Sequence, residues 1–137
     1  MAEFIMKHHI HSLGLDEQFS IASAATTREE IGNDMYPPAK RKLTAMGVPF
    51  TRRAARLLTR SDYREFDYII GMDEENRADM LRICGGDPEK KISNLLDWTP
   101  RKGASVAVPW YTGNFDITYD DILEGCISVV TALRKNQ

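Results

Sequence analysis

Phe4, Ile5, Met6, Ile10 and Leu13 recur at a spacing that places them on one face of a helix over residues 2 to 13, and Gly14 supplies its stop. Met1 stands where a capping Ser, Thr, Asp or Asn would serve the amides of the first turn. Phe19, Ile21 and Ser23 alternate with smaller residues and predict a short strand, which runs into a polar loop from Thr26 to Asn33. Pro38 opens a second helix that Gly47 ends. Thr59 is placed to cap a short helix from Arg60 to Phe66. The run Asp67-Tyr68-Ile69-Ile70-Gly71-Met72 has the length and apolar content of a strand buried on both faces. Asp73 caps the next helix, Glu74 and Glu75 suit its first turn, and Gly85-Gly86 closes it. Ile92 to Leu96 predicts another short strand, and Thr99 to Gly113 a long surface loop of the kind that carries function. Tyr119, Ile122, Leu123, Cys126, Ile127, Val130 and Leu133 mark one face of a C-terminal helix, with Arg134 and Lys135 at its negative end. Helices alternating with three buried-type strands predict an α/β protein with a parallel sheet.

Composition narrows the classes of function. Lys plus Arg number 18 against 20 Asp plus Glu in 137 residues, a formal charge of −2 that fits one domain without the bulk positive charge of a nucleic-acid binder. The longest apolar stretch, Cys126 to Leu133, is far short of the ~20 residues of a membrane span, and no secretory signal pattern opens the chain, so the expected location is cytoplasmic. The two cysteines, Cys84 and Cys126, lie far apart in sequence without metal-ligand neighbours, as reduced thiols do. His8 and His11 share a helix face but lack a third ligand at suitable spacing, so no metal site is predicted. The basic run Lys40-Arg41-Lys42 is expected on the wet side of its helix.

Several blocks in succession carry a resemblance. Ser23-Ala24-Ala25-Thr26, then Glu30-Ile31-Gly32-Asn33-Asp34 and Tyr36-Pro37-Pro38-Ala39, are similar to stretches of the low molecular weight protein tyrosine phosphatases. So are Leu58-Thr59 with Asp62-Tyr63, Phe66 through Asn76, the lid-like Pro109-Trp110-Tyr111-Thr112-Gly113, and Phe115 to Cys126. The resemblance covers nearly the whole chain in the family's order. It implies a three-layer α/β/α fold with a short parallel sheet ordered 2-1-3-4, of which the first, central strand is missing from this sequence. The expected organisation is a single phosphatase-like domain over 1–137, incomplete at the N-terminus, with a strand and a loop preceding Met1.

The resemblance also implies a chemistry. The family hydrolyses phosphotyrosine through a cysteinyl-phosphate intermediate, using a Cys-x5-Arg loop whose amides and arginine hold the phosphate oxygens, and it needs no cofactor. Neither cysteine here begins that motif: six positions beyond Cys84 is Lys90, and six beyond Cys126 is Ala132. The general acid, an aspartate before the lid proline in the family, is replaced by Val108, which cannot exchange a proton. Asp116, Asp120 and Asp121 follow the lid and are expected to cap or solvate the last helix. Arg53 stands where many relatives have a histidine. Binding parts are better kept: Trp110 and Tyr111 resemble the aromatic walls around a phosphotyrosine ring, Ser23 a serine supporting the phosphate loop, and Arg28, Glu29 and Glu30 a loop that tunes substrate choice. The expectation is a truncated, inactive member whose intact relatives act on phosphotyrosine proteins or peptides, with a strand-donating partner or an oligomer covering the exposed sheet. The alternatives are a non-catalytic phosphatase-like interaction module and a relative of arsenate reductases or phosphoarginine phosphatases.

Overall fold

The computed structural model describes residues 1–28, 31–52, 54–107 and 115–135. Among the described residues the elements follow in the order α1 (Ala2–Ser12), α2 (Pro37–Ala45), α3 (Arg60–Glu65), β1 (Ile69–Gly71), α4 (Glu74–Cys84), β2 (Ile92–Asn94), a 3-10 turn (Leu95–Trp98) and α5 (Phe115–Lys135). β1 and β2 pair in parallel, Ile69 opposite Ile92 and Gly71 opposite Asn94. The connection between them is α4, the crossover that a parallel pair requires.

Local chemistry sets most of these boundaries. The Thr59 hydroxyl accepts from the Asp62 amide at 3.4 Å while the Asp62 carboxylate accepts from the Thr59 amide at 2.8 Å, a reciprocal cap that opens α3. The Asp73 carboxylate accepts from the Asn76 amide at 2.7 Å and opens α4, which ends at Gly85 with φ 77°, a left-handed position that suits a residue without Cβ. α1 has Met1 at its cap position and no side-chain cap bond.

Two apolar clusters hold the layers. Phe4, Ile5 and Ile10 of α1 pack with Ile122, Cys126, Val129 and Val130 of α5 and with Leu95 and Leu96 of the 3-10 turn. On the other side, Leu58, Tyr63, Ile69, Met80, Cys84 and Ile92 join α3, α4 and the strands. β1 divides them, since Ile69 belongs to the second cluster and Ile70 packs against the first. Trp98 donates its indole N–H to the Ser93 hydroxyl at 3.0 Å and meets the Tyr68 ring edge-on at 5.5 Å.

Several expectations are corrected. Phe19, Ile21 and Ser23 do not form a strand; the ladder there is a single parallel bridge, Ala25 to Leu57. The sheet named among the described residues therefore has two strands where three were predicted. β2 stops at Asn94 because the Asp97 carboxylate accepts the Asn94 amide at 3.2 Å and winds Leu95 and Leu96 into the 3-10 turn. α2 begins at Pro37, one residue before the expected start, whereas α5 begins at Phe115, where the last block of the resemblance also begins. Lys42 is not on a wet face: it is mostly covered, pairs with Asp116 and lies over the Tyr119 ring. Among the described residues no helix is long and apolar enough to cross a membrane.

Candidate functional site

A cleft of about 1650 Å³ opens between the segment from Phe19 to Thr27 and β1. Ligands in open α/β sheets sit outside the carboxyl ends of parallel strands, and here that end is Met72 and Asp73 after β1, both on the cleft lining. Three hydrogen bonds fix the end. The Met72 amide donates to the Asn76 side-chain oxygen at 3.1 Å, the Met72 carbonyl accepts from the Val106 amide at 2.9 Å, and Asp73 caps α4.

The chain that follows Val106 is clamped from α5. The Ala107 amide donates to Asp121 Oδ2 at 3.0 Å, and the Thr118 hydroxyl donates to the Ala107 carbonyl at 2.9 Å. Asp121 is 8% exposed, and its other oxygen accepts from Arg101 at 2.8 Å; Arg101 also reaches Glu124 at 2.5 Å. Hydrogen bonds to Asp121 and then Glu124 raise the Arg101 guanidinium above its ordinary value. The backbone immediately before Val108 is thus held at both its N–H and its C=O by one turn of α5. Asp121 was expected to cap or solvate its helix and does neither.

Among the predicted site residues, Ser23 is half-buried and lines the cleft, while Arg28 is exposed in the turn beyond it. Glu29, Glu30, Arg53, Val108, Trp110 and Tyr111 lie outside the described residues. Sequence reasoning missed Arg101, Thr118 and Asp121. A signal was present, because Thr118, Asp121 and Ile122 share the inward stripe of α5 that continues to Cys126.

Both thiols are structural in character. Cys126 is 1% exposed in the α1–α5 core at the cleft floor, and burial pushes its pKa up to about 12. The neutral thiol is therefore the favoured form of Cys126 at neutral pH. Cys84 ends α4, 9% exposed, and burial followed by the charges of Asp62 and Asp87 raises it too. A nucleophilic cysteine needs the opposite environment, accessible and close to positive charge. Among the described residues no three His, Cys, Asp or Glu side chains gather as metal ligands. His11 instead bonds Asp16 at 2.9 Å.

The fold defines a class first: an α/β protein whose short parallel sheet lies between helix layers, with a crevice at the carboxyl end of its first strand. The family described as low molecular weight phosphotyrosine protein phosphatase matches residues 1–137. The low molecular weight protein-tyrosine-phosphatase YfkJ of Bacillus subtilis is 31% identical over 138 residues, covering 100% of this chain and 88% of the relative. The low molecular weight phosphotyrosine protein phosphatase of Pongo abelii is 32% identical, covering 93% and 80%. The crystal structure of YfkJ superposes with a TM-score of 0.91 at 30% identity over 99% of this chain and 86% of that one. A protein tyrosine phosphatase from Entamoeba histolytica does so at 0.88 and 26%, over 98% and 88%. The chain belongs to the low molecular weight protein-tyrosine phosphatase family.

Proposed function

We propose that these 137 residues form a phosphotyrosine-phosphatase scaffold that does not hydrolyse phosphate esters by itself. The observation that carries this reading is the state of the two thiols. Each is buried, each has a raised pKa, and neither starts a Cys-x5-Arg run. An attack on phosphorus requires a thiolate, and the environment of both cysteines favours the neutral thiol. Val108 at the general-acid position removes the second catalytic group. On this reading Trp110, Tyr111 and Ser23 are remnants of a phosphotyrosine pocket, Arg28, Glu29 and Glu30 belong to its selecting loop, and 1–137 acts as one domain.

The test is vanadate-sensitive hydrolysis of p-nitrophenyl phosphate by the purified chain, its mass verified. The nitrophenolate leaves without protonation, so the assay isolates the nucleophile. We expect no turnover from a folded sample; clear turnover abolished by vanadate sinks the proposal. A second prediction concerns the acid. Joined to a segment bearing Cys-x5-Arg, the scaffold should remain roughly 10²–10⁴-fold slow on phosphotyrosine, and Val108→Asp should recover most of that loss. An unchanged rate after the substitution would remove Val108 from the argument.

A further inference from the structure

Among the described residues β2 has one neighbour, β1, so its other side is the outer edge of the sheet. The Ile69 amide donates to the Lys91 carbonyl at 2.9 Å, and peptide groups alternate sides along a strand. Ser93 therefore turns its N–H and C=O toward β1, while Ile92 and Asn94 turn theirs outward. Outward amides on an edge are the groups with which a further strand would pair. Here both are already taken by side chains: the Ile92 amide donates to Asp87 Oδ2 at 3.2 Å, and the Asn94 amide donates to Asp97 Oδ2 at 3.2 Å.

Each carboxylate is anchored from a second direction. Asp87 Oδ1 accepts from the Tyr63 hydroxyl at 2.8 Å and from the Lys91 amide at 2.7 Å. The Lys90 amide donates to the Asp87 carbonyl at 3.2 Å, with Lys90 at φ 56°, and this turn brings Asp87 back over the start of β2. Asp97 Oδ1 accepts from the Gly103 amide at 3.0 Å, which ties it to the chain beyond the 3-10 turn. One carboxylate thus arrives from before the strand and the other from after it, so the covering of the edge does not come from a single helix cap. An ionised carboxylate accepts hydrogen bonds and cannot donate them, so it ends the ladder. It also sets negative charge where the carbonyls of an incoming strand would have to lie.

We infer that Asp87 and Asp97 hold the outer edge of β2 closed against strand addition, and that without them β2 pairs with β2 of a second copy of this chain. The two strands would run antiparallel about a twofold axis at Ser93, with Ile92 of each copy opposite Asn94 of the other, and every outward amide would find a carbonyl. With the carboxylates in place, the same approach would crowd Asp87 and Asp97 of both copies along one seam. This role depends neither on catalysis nor on what lies on the far side of β1.

Amide exchange and sedimentation of the intact chain provide the test. The Ile92 and Asn94 amides should exchange at least about tenfold more slowly than free amides, to the same degree at every protein concentration. Asp97→Ala should speed exchange at Asn94 by at least about tenfold. Asp87→Ala combined with Asp97→Ala should self-associate as concentration rises, and Ile92 and Asn94, fast in the dilute sample, should become protected again as the copies pair. Putting Asp97→Asn in place of Asp97→Ala keeps an acceptor for Asn94 and should weaken that association at least about tenfold. Free exchange at both amides in the intact chain overturns the inference, as does unchanged exchange at Asn94 in Asp97→Ala; both readings stand even where the double variant does not fold. A folded double variant that stays monomeric overturns it too. So does association that leaves Ile92 and Asn94 unprotected, because another face would then be joining the copies, and so does equal association of the Asn and Ala forms.

Discussion

Asp121 holds the Ala107 amide on one oxygen and Arg101 on the other, from a position almost closed to solvent. Truncation leaves a partly buried amide without its acceptor, so Asp121→Ala should cost about 1–3 kcal/mol in urea unfolding, and Asp121→Asn, which keeps one acceptor, less. Equal losses for the two would mean that charge rather than the Ala107 bond matters. Asp62 and Asp87 govern the response to acid. Burial opposes ionisation of Asp62, but hydrogen bonds from Arg56 and from the Thr59 amide outweigh it and hold the carboxyl below its usual value. Asp87 is likewise lowered, against burial, by the Tyr63 hydroxyl and the Lys91 and Ile92 amides. A carboxylate depressed in the folded state contributes stability above its unfolded pKa of about 4 and loses it as pH falls through the folded value. Stability should therefore drop steeply below about pH 4, and Asp62→Asn should flatten that slope; an unchanged slope would exclude Asp62 as its source.

At the scale of elements, the tightest fit is between α5 and the 3-10 turn. A Cβ built on Gly125 would lie 2.3 Å from Cγ of Leu95, whose side chain is 3% exposed. Alanine gains about 1 kcal/mol of helix propensity in principle, yet overpacking of this kind costs about 1–3 kcal/mol. Gly125→Ala should thus destabilise, and Leu95→Ala in the same chain should relieve the clash; a melting temperature raised by Gly125→Ala alone would show that Leu95 yields freely. The helix starts were legible in sequence wherever a side chain makes them, as at Thr59 and Asp73, because the cap and its partner are three residues apart. The segment from Phe19 to Ser23 was misjudged for the opposite reason. Its alternation is that of a strand, but a ladder depends on a neighbour distant in sequence, and only Ala25 finds one. The clamp on Ala107 was hidden in the same way, since Asp116, Asp120 and Asp121 look alike until the turn of α5 selects one of them to face inward.

Among the described residues the sheet consists of two three-residue strands beside a cleft of about 1650 Å³. Two-stranded pairings are marginal without cover, and most domains are held by only about 5–15 kcal/mol. The isolated chain is accordingly expected to melt early and broadly and to bind a dye that reports exposed apolar surface; a sharp, high-temperature melt of a monomer would contradict this. The contact of Trp98 with Tyr68 bears on how such states can be watched. Tyr68 lines the cleft and Trp98 stands behind it, pinned by Ser93. With Trp110→Phe, the indole of Trp98 is the sole emitter under selective excitation, because the chain has two tryptophans. Its colour and its quenching by dissolved acrylamide then give an optical readout, one that distinguishes a filled cleft from a wet one without any label.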